Sequence, residues 1–249
     1  DLKKQKSIFG VMSNKINLLY FANWERGKAV LETLSKIKKI NILCVFTQFH
    51  IDSKDIYYNS VYRQAKDLNI EIFNTHEIDS TTINKIILEK VNHYRNHYNN
   101  IMGFSVAFNK IFTKSLINAI KIINIHPSFL PYYRGPSPEL WAVLNNDEQY
   151  GITLHYVDEG IDTGNIICQK KFFLDYKKTW NEYILDINRN CQIITNQFFN
   201  TINSEYLIMD TTQETIMPYC NRIKIPPSFW SKNLEEIREF LQNSHNEKK

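Results

Sequence analysis

Cysteine is scarce in this sequence, and closely spaced metal ligands are missing. The 249 residues contain four cysteines, and no two of them form a C-x-x-C pair; they are Cys44, Cys168, Cys191 and Cys220. Structural zinc sites are built from closely spaced cysteine and histidine ligands, so the spacing predicts no metal site. Isolated thiols are also typical of proteins that fold in a reducing compartment, where disulfides are rare.

Long apolar runs are missing as well. No stretch approaches the roughly 20 apolar residues of a membrane-spanning helix, and residues 1–6 lead into a short apolar patch instead of a secretory signal. We therefore expect a cytoplasmic protein with no membrane partner. The formal net charge of +4 falls short of the basic bias of nucleic-acid-binding domains, so no nucleic-acid partner is expected.

Short apolar runs alternate with helical patterns over the first half of the chain. Strands are predicted at residues 16–22, 40–47, 70–73, 100–104 and 122–125. Helices are predicted between them, at residues 25–39, 60–67, 81–96 and 114–119. A strand, a helix and a second strand within about 30 residues are typical of a parallel βαβ unit. The alternation predicts an α/β fold with a doubly wound, mostly parallel, Rossmann-like sheet, which binds ligands beyond the carboxyl ends of its strands.

The residue pattern changes after Asp175. Residues 179–202 have the periodicity of one long helix, and the polar chain that follows has a final helical stretch at 234–242. We therefore divide the chain into three parts, which are an N-terminal extension over 1–15, a main domain over 16–205 and a C-terminal extension over 206–249.

The first chemically suggestive segment, residues 124–131 (NIHPSFLP), directly follows a predicted strand. Its two prolines make the loop rigid. Asn124 and His126 are two residues apart, so extended backbone points both side chains to the same side. An amide donor and an imidazole aimed at one point form a pair that can polarise a carbonyl group. Taken alone, a histidine at a strand end is more often structural than catalytic.

The second segment, residues 151–164 (GITLHYVDEGIDTG), begins as a strand and ends in an acidic loop. Gly160 and Gly164 permit a tight turn around Asp162. A carboxylate held there can accept a hydrogen bond from a histidine, orient the ring and favour its charged form. The alternatives are a plain turn or a calcium loop, but the regular spacing of oxygen ligands in a calcium loop is missing.

Together these motifs resemble a known family. They consist of residues 124–131, then Tyr133-Arg134-Gly135 and Pro138, then residues 157–164. They resemble the 10-formyltetrahydrofolate-dependent formyltransferases, a family that includes glycinamide ribonucleotide formyltransferase, methionyl-tRNA formyltransferase and the nucleotide-sugar N-formyltransferases. The resemblance is clear over residues 100–167 and looser over 16–175. It implies an enzyme that moves a formyl group from its co-substrate, 10-formyltetrahydrofolate, to an amine.

By this resemblance, the catalytic residues are Asn124, His126 and Asp162. Asn124 and protonated His126 are expected to stabilise the developing oxyanion, while Asp162 supports His126 and helps to transfer protons. Two loops are expected to bind the folate, and their residues are Ser105, Val106, Ala107, Phe108, Asp158, Glu159, Gly160 and Ile161. Core packing is the alternative for the three apolar residues at 106–108.

Three acceptor classes compete within this family. A tRNA formyltransferase carries a further C-terminal domain that holds RNA, whereas only the residues after 205 follow the main domain here. Glycinamide ribonucleotide formyltransferase has a glycine-serine-asparagine phosphate loop after its first strand, where this chain has residues 21–26 (FANWER). The nucleotide-sugar N-formyltransferases remain. Their short C-terminal extension commonly pairs two subunits, which implies a homodimer here.

We therefore interpret the chain as a nucleotide-sugar N-formyltransferase of O-antigen or lipopolysaccharide synthesis, acting on dTDP-4-amino-4,6-dideoxyglucose. Aromatic rings could stack on the base and guanidinium groups could bind the diphosphate. The candidates are Trp24, Tyr133, Arg134, Trp141, Tyr219 and Arg222, for each of which a surface or dimer contact is the alternative. Two other functions are kept open, a hydrolase on the same scaffold and an inactive folate- or nucleotide-binding module. The inactive module would have lost a catalytic residue, whereas all three are present.

Overall fold

The computed structural model describes residues 15–53, 55, 57–201, 212–213, 217 and 219–246. All but the last residue of the predicted N-terminal extension over 1–15 lies outside the described residues. The predicted boundary between residues 205 and 206 lies outside them too. Within the described part of the chain, no helix is long and apolar enough to cross a membrane.

A seven-stranded sheet forms the centre of the molecule. Its strands are β1 (Ile16–Ala22), β2 (Ile40–Thr47), β3 (Glu71–Asn74), β4 (Ile101–Val106), β5 (Ile122–His126), β6 (Gln149–Tyr156) and β7 (Ile166–Phe173). They are ordered β3-β2-β1-β4-β5-β6-β7. The first five in chain order pair in parallel, whereas β6 and β7 each run antiparallel to their neighbour. The predicted α/β fold with a mostly parallel sheet is confirmed.

Helices cover both faces of the sheet. They are α1 (Trp24–Ser35), α2 (Ser60–Asp67), α3 (Ser80–Arg95), α4 (Lys114–Ala119), α5 (Pro138–Leu144), α6 (Trp180–Thr201) and α7 (Leu234–Asn246), with a 3₁₀ turn at Pro227–Phe229. Buried side chains of α1, α2, α5, α6 and α7 share one core, and those of α3 and α4 share a second core on the opposite face.

The central strand β1 shows why the sequence reads as continuous apolar runs. All seven of its residues are buried. Leu18 and Tyr20 belong to the first core, while Leu19 and Phe21 belong to the second. Successive side chains of a strand point to opposite faces, so a strand covered by helices on both sides must be apolar throughout.

Two elements were not predicted, and several predicted ends differ from the structure: β3, β4, β5 and α7 end later than expected, and α1 ends earlier, at Ser35. Helix α5 has seven residues and begins at Pro138, just after the proline-rich loop. Strand β7 lies at the sheet edge and carries Lys170 and Lys171, so it has no continuous apolar run. Helix α7 continues to Asn246, beyond the predicted end at 242.

The sheet order places a crevice between β1 and β4. From β1 the chain proceeds outward to β2 and β3, and then returns to the other side of β1 with β4 and β5. The loops after β1 and β4 therefore leave the same edge in opposite directions. In doubly wound sheets, this switch point beyond the carboxyl ends is where ligands bind.

Candidate active site

A cavity of about 520 Å³ lies at the carboxyl ends of these strands. Its volume is within the range of small-molecule sites. The loop after β4 contributes residues 107–112 to its wall, β5 and the following loop contribute 124–127 and 135–139, and the acidic loop contributes 157–162. All three predicted catalytic residues line this one cavity.

His126 ends strand β5 and is almost fully buried. Its Nε2 lies 2.8 Å from the carbonyl oxygen of Tyr133. A carbonyl only accepts, so Nε2 carries a proton and donates it. The other ring nitrogen, Nδ1, lies 3.5 Å from Oδ2 of Asp162. The ring is therefore held from both sides, with the carboxylate facing the nitrogen that would take up a second proton.

Asp162 lies in the acidic loop and adopts a left-handed backbone conformation with φ +54°. Its Oδ2 accepts a hydrogen bond from the amide of Gly135 at 2.9 Å. Burial on its own would raise the pKa of Asp162, but the charge of His126, the neighbouring His155 ring and the Gly135 amide outweigh it. The net effect holds the pKa of this carboxyl well below its usual range, so Asp162 is ionised near neutral pH.

His155 is a further site residue that the sequence argument missed. It lies on β6 directly opposite Asn124 of β5, and its Nε2 is 3.5 Å from Oδ1 of Asp162. Its Nδ1 donates to the Tyr156 carbonyl at 2.8 Å, so in the neutral ring Nε2 accepts from the Asn124 amide at 3.1 Å. His155 thereby fixes the orientation of the Asn124 side chain. Its position within the 151–164 motif was the available signal.

Seven of the eight residues predicted to bind folate lie at the cavity wall. They are Ser105, Ala107, Phe108, Asp158, Glu159, Gly160 and Ile161. Val106 is not part of that wall, because it is fully buried in the core between β1 and β5. Core packing, the alternative stated for this residue, accounts for it. The loop itself is shaped by Asp158, whose carboxylate accepts from the Gly160 amide and the Thr163 hydroxyl.

Three of the six predicted substrate-binding residues line the cavity, namely Trp24, Tyr219 and Arg222. Trp24 begins helix α1 with φ +62° and is partly exposed, as is Tyr219. Arg222 is exposed, and within the described ranges no hydrogen bond or ion pair engages its guanidinium. These are the features of residues free to contact a ligand.

The other three, Tyr133, Arg134 and Trp141, do not line the cavity. Arg134 is only 8% exposed and donates to main-chain carbonyls. The Tyr133 hydroxyl donates to Asp147 at 2.7 Å, and the Trp141 indole donates to the carbonyl of Asn221 at 2.7 Å. Their side chains hold the surrounding loops together, so the structure does not support them as substrate contacts.

A buried ion pair forms another part of the wall. Arg26 of α1 and Glu139 of α5 both line the cavity, 2.5 Å apart, with side chains 13% and 11% exposed. Burial would lower the pKa of Arg26, but the charge of Glu139 outweighs it and raises that pKa. The pair carries no net charge, so this part of the wall offers no free positive charge to a phosphate group.

Around this site, no group of three or more His, Cys, Asp or Glu side chains is arranged to hold a metal ion among the residues that the structure describes. The adjacent pair of His126 and His155 is instead engaged with Asp162 and main-chain carbonyls.

Sequence comparison finds methionyl-tRNA formyltransferases. That of Ureaplasma urealyticum serovar 10 is 30% identical over 197 residues, which is 77% of this chain and 61% of the relative. The chain thus spans about three fifths of the length of the curated relatives that it matches.

Structural comparison finds both sugar N-formyltransferases and phosphoribosylglycinamide formyltransferases. The N-formyltransferase from Helicobacter canadensis, in complex with folinic acid and dTDP-3-aminofucose, superposes with a TM-score of 0.64 at 21% identity. It covers 92% of this chain and 82% of its own. The sugar 3N-formyltransferase WlaRD, in the presence of dTDP and 5-N-formyl-tetrahydrofolate, superposes with a TM-score of 0.60 at 25% identity. Coverage is 94% of this chain and 82% of WlaRD.

The family model for formyl transferases matches residues 14–190. The match includes all seven strands and every residue of the Asn124, His126, His155 and Asp162 group. With this match and the arrangement of the site, the chain belongs to the formyl transferase family.

Proposed function

We propose that the chain transfers the formyl group of 10-formyltetrahydrofolate to the amino group of a nucleotide-linked sugar. The observation that carries the transfer step is the convergence of Asn124, His126 and Asp162 on one cavity. An amide donor, an imidazole and an ionised carboxylate around one point suit a carbonyl under attack by an amine. Separately, the apolar wall formed by Phe108, Phe112 and related side chains fits a flat pterin ring.

The residues divide the chemistry between them. One Asn124 amide proton is directed to His155, which leaves the second free to hydrogen-bond the oxygen that becomes negative. Protonated His126 adds positive charge beside that oxygen. The attacking amine must lose a proton and the departing folate nitrogen must gain one, and a water positioned by the ionised Asp162 can carry the proton from one nitrogen to the other. The 3.5 Å separation between His126 and Asp162 is long, as is common before substrates bind.

Three observations favour a nucleotide sugar as the acceptor. Trp24 and Tyr219 offer aromatic faces at the cavity wall, and Arg222 offers an available cation for a diphosphate. The two sugar formyltransferase structures cover 92% and 94% of this chain. Both contain a dTDP group with a formylated folate analogue. We propose dTDP-4-amino-4,6-dideoxyglucose as the specific acceptor.

The remaining parts of the proposal follow from this acceptor. The main domain over 16–205 carries the chemistry, the extension over 206–249 pairs two subunits into a homodimer, and the product serves O-antigen or lipopolysaccharide synthesis. The second candidate function is formylation of methionyl-tRNA, which the 30% identity to the Ureaplasma enzyme favours.

The test is a formylation assay on a panel of acceptors. The protein is incubated with 10-formyltetrahydrofolate and dTDP- or UDP-linked amino sugars, glycinamide ribonucleotide or methionyl-tRNA, and the products are weighed by mass spectrometry. A gain of one formyl group on a sugar nucleotide alone supports the proposal. Formylation of one of the other two acceptors alone would overturn the sugar assignment. Folate binding with no formylated product would favour the inactive binding module.

A further inference from the structure

The C-terminal segment, described here at residues 212–213, 217 and 219–222, packs directly on the loop after β5 that contains Arg134 and Gly135. Tyr219 forms an isolated parallel bridge with Arg134, and the amide of Cys220 donates to the Arg134 carbonyl at 2.8 Å. Gly135 adopts φ +95° beneath this contact, where a Cβ atom would lie 2.5 Å from the Tyr219 ring. Only glycine fits there without movement. This segment is therefore built into the wall of the active site.

The loop that carries Asp162 is tightly wound and depends on contacts from outside it. Asp162 itself is in the left-handed region, which costs a non-glycine residue free energy. Two residues later, a Cβ atom on Gly164 would lie 1.8 Å from the Tyr156 carbonyl oxygen. A conformation of this kind persists only when surrounding groups fix it.

Gln213 makes two such contacts. Its Nε2 donates to the main-chain carbonyl of Asp162 at 3.1 Å and to that of Gly164 at 2.8 Å. Both protons of the carboxamide are thereby used, and the two carbonyls flank Thr163. A single side chain from the C-terminal segment thus holds the turn on both sides of its central residue.

Arg134 fixes the same loop from the catalytic side. Its Nε donates to the carbonyl of Ile161 at 2.9 Å, and its Nη1 donates to the carbonyl of Met217 at 3.0 Å. The guanidinium therefore connects the Asp162 loop with the segment that carries Gln213. Carbonyls at 161, 162 and 164 are all held by side chains from elsewhere in the chain.

We propose that Gln213 is a positioning residue for Asp162, so that the C-terminal segment is part of the catalytic centre as well as a candidate for subunit pairing. By fixing the main chain of the turn, the carboxamide keeps the Asp162 carboxylate against Nδ1 of His126 and the Gly135 amide. The inference rests on the catalytic role proposed for Asp162. It does not depend on which amine is the acceptor.

Two variants of Gln213 separate hydrogen bonding from packing. Gln213→Met keeps the length but removes both donors, and Gln213→Glu keeps the shape but turns an acceptor toward two carbonyl oxygens. With the acceptor that the unaltered enzyme formylates, we expect kcat to fall on the order of tenfold to a hundredfold for Met and further for Glu. The acceptor KM should change less than about threefold. Thr212→Ala, at the exposed neighbouring position, is the matched control and should keep the original kcat.

Amide hydrogen exchange followed by mass spectrometry tests the same inference without an acceptor. Gln213→Met should speed exchange in residues 161–164 while the sheet strands and the melting temperature stay unchanged. Faster exchange throughout the sheet would make Gln213 a residue of general stability and overturn the inference. So would unaltered kcat in both variants, or a Glu variant as active as the original. If the unaltered enzyme formylates no acceptor, the transfer proposal fails, and unchanged exchange in 161–164 would overturn the Gln213 proposal separately.

Discussion

The charge of Asp162 is sustained by a balance of opposing effects. Burial disfavours the ionised carboxylate, whereas two histidines and a main-chain amide favour it more strongly. Because the resulting pKa lies well below the usual range, the carboxylate stays ionised at neutral pH and can stabilise positive charge on the His126 ring beside it. A more exposed aspartate would remain charged as well, but it would not be held against the imidazole.

Replacing His126 or Asp162 should remove turnover but keep the fold. We expect His126→Asn and Asp162→Asn to lower kcat on the order of a hundredfold or more, because each loses a group that acts on the reacting atoms. His97→Asn is the matched control, since His97 is exposed and precedes the amino end of β4, whereas the cavity lies at the carboxyl ends of the strands. Steady-state kinetics with thermal unfolding checks this, and a kcat near the original in either site variant would contradict the assigned role.

The lowered pKa of Asp162 also predicts how stability depends on pH. A depressed folded-state pKa contributes stability above the unfolded-state pKa, which is about 4 for aspartate, and that stability is lost as the pH falls toward the folded pKa. The unfolding free energy of the original protein should therefore decline more steeply below about pH 4 than that of Asp162→Asn. Urea unfolding at several pH values measures both curves. Parallel curves between neutral pH and pH 3 would contradict the prediction.

At the scale of elements, the Arg26–Glu139 pair connects the first turns of α1 and α5. We expect Arg26→Met to cost about 3–5 kcal/mol of unfolding free energy, because it leaves Glu139 buried without a partner. The double variant Arg26→Met/Glu139→Leu should recover part of this loss, since no unpaired charge remains. Denaturant unfolding gives both values.

The matched control for this pair is the surface pair of Glu32 on α1 and Lys36 just after it, whose side chains are 45% and 71% exposed. Lys36→Met should change the unfolding free energy by under about 1 kcal/mol, because solvent screens exposed pairs. If the double variant is no more stable than Arg26→Met, the buried pair does not act as proposed.

Elements with an internal signal were predictable from the sequence, and those without one were not. The bounds of β1, β2, α2 and α4 match the prediction, because burial on both sheet faces or a clear helical face is written into consecutive residues. Strand β7 is an edge strand with no fully buried residue, and α5 has only seven residues after a proline-rich loop. Neither element produces a residue pattern that can be recognised in the sequence alone.

The same distinction applies to the site. Asn124 and His126 could be related by their spacing along one strand. His155 lies within the 151–164 motif, but its contact with Asn124 needed the antiparallel pairing of β6 with β5, and Gln213 needed the path of the C-terminal segment. Arg134 shows the reverse case, because its motif suggested a ligand contact and its burial shows a structural one. Contacts made across the fold cannot be read from local residue patterns.

At the scale of the whole molecule, helices cover both faces of the sheet in the described part of the chain, and the cavity of about 520 Å³ lies at its carboxyl edge. Its wall is formed by residues from both halves of the sheet and from the C-terminal segment. We propose that the side near Phe108 and Ile161 receives the folate, and that the side near Trp24 and Arg222 receives the nucleotide. The two ligands should then depend on different residues.

Ligand-induced stabilisation tests this division. A ligand at a hundred times its dissociation constant stabilises the folded state by about 2.7 kcal/mol, which raises the melting temperature of a domain this size by roughly 5–10 °C. We expect both dTDP and 5-formyltetrahydrofolate to do so. Trp24→Ala and Arg222→Ala should lose most of the dTDP shift and keep the folate shift, because they remove a stacking face and a diphosphate contact.

The matched control is Arg189→Ala, which removes an exposed guanidinium from α6 and should leave both shifts unchanged. An undiminished dTDP shift in both cavity variants would place the nucleotide elsewhere. A stabilising effect of glycinamide ribonucleotide without any effect of dTDP would instead assign this side of the cavity to a different acceptor. Because the melting temperature reports ligand binding without turnover, these outcomes can be measured even when the chemical step is slow.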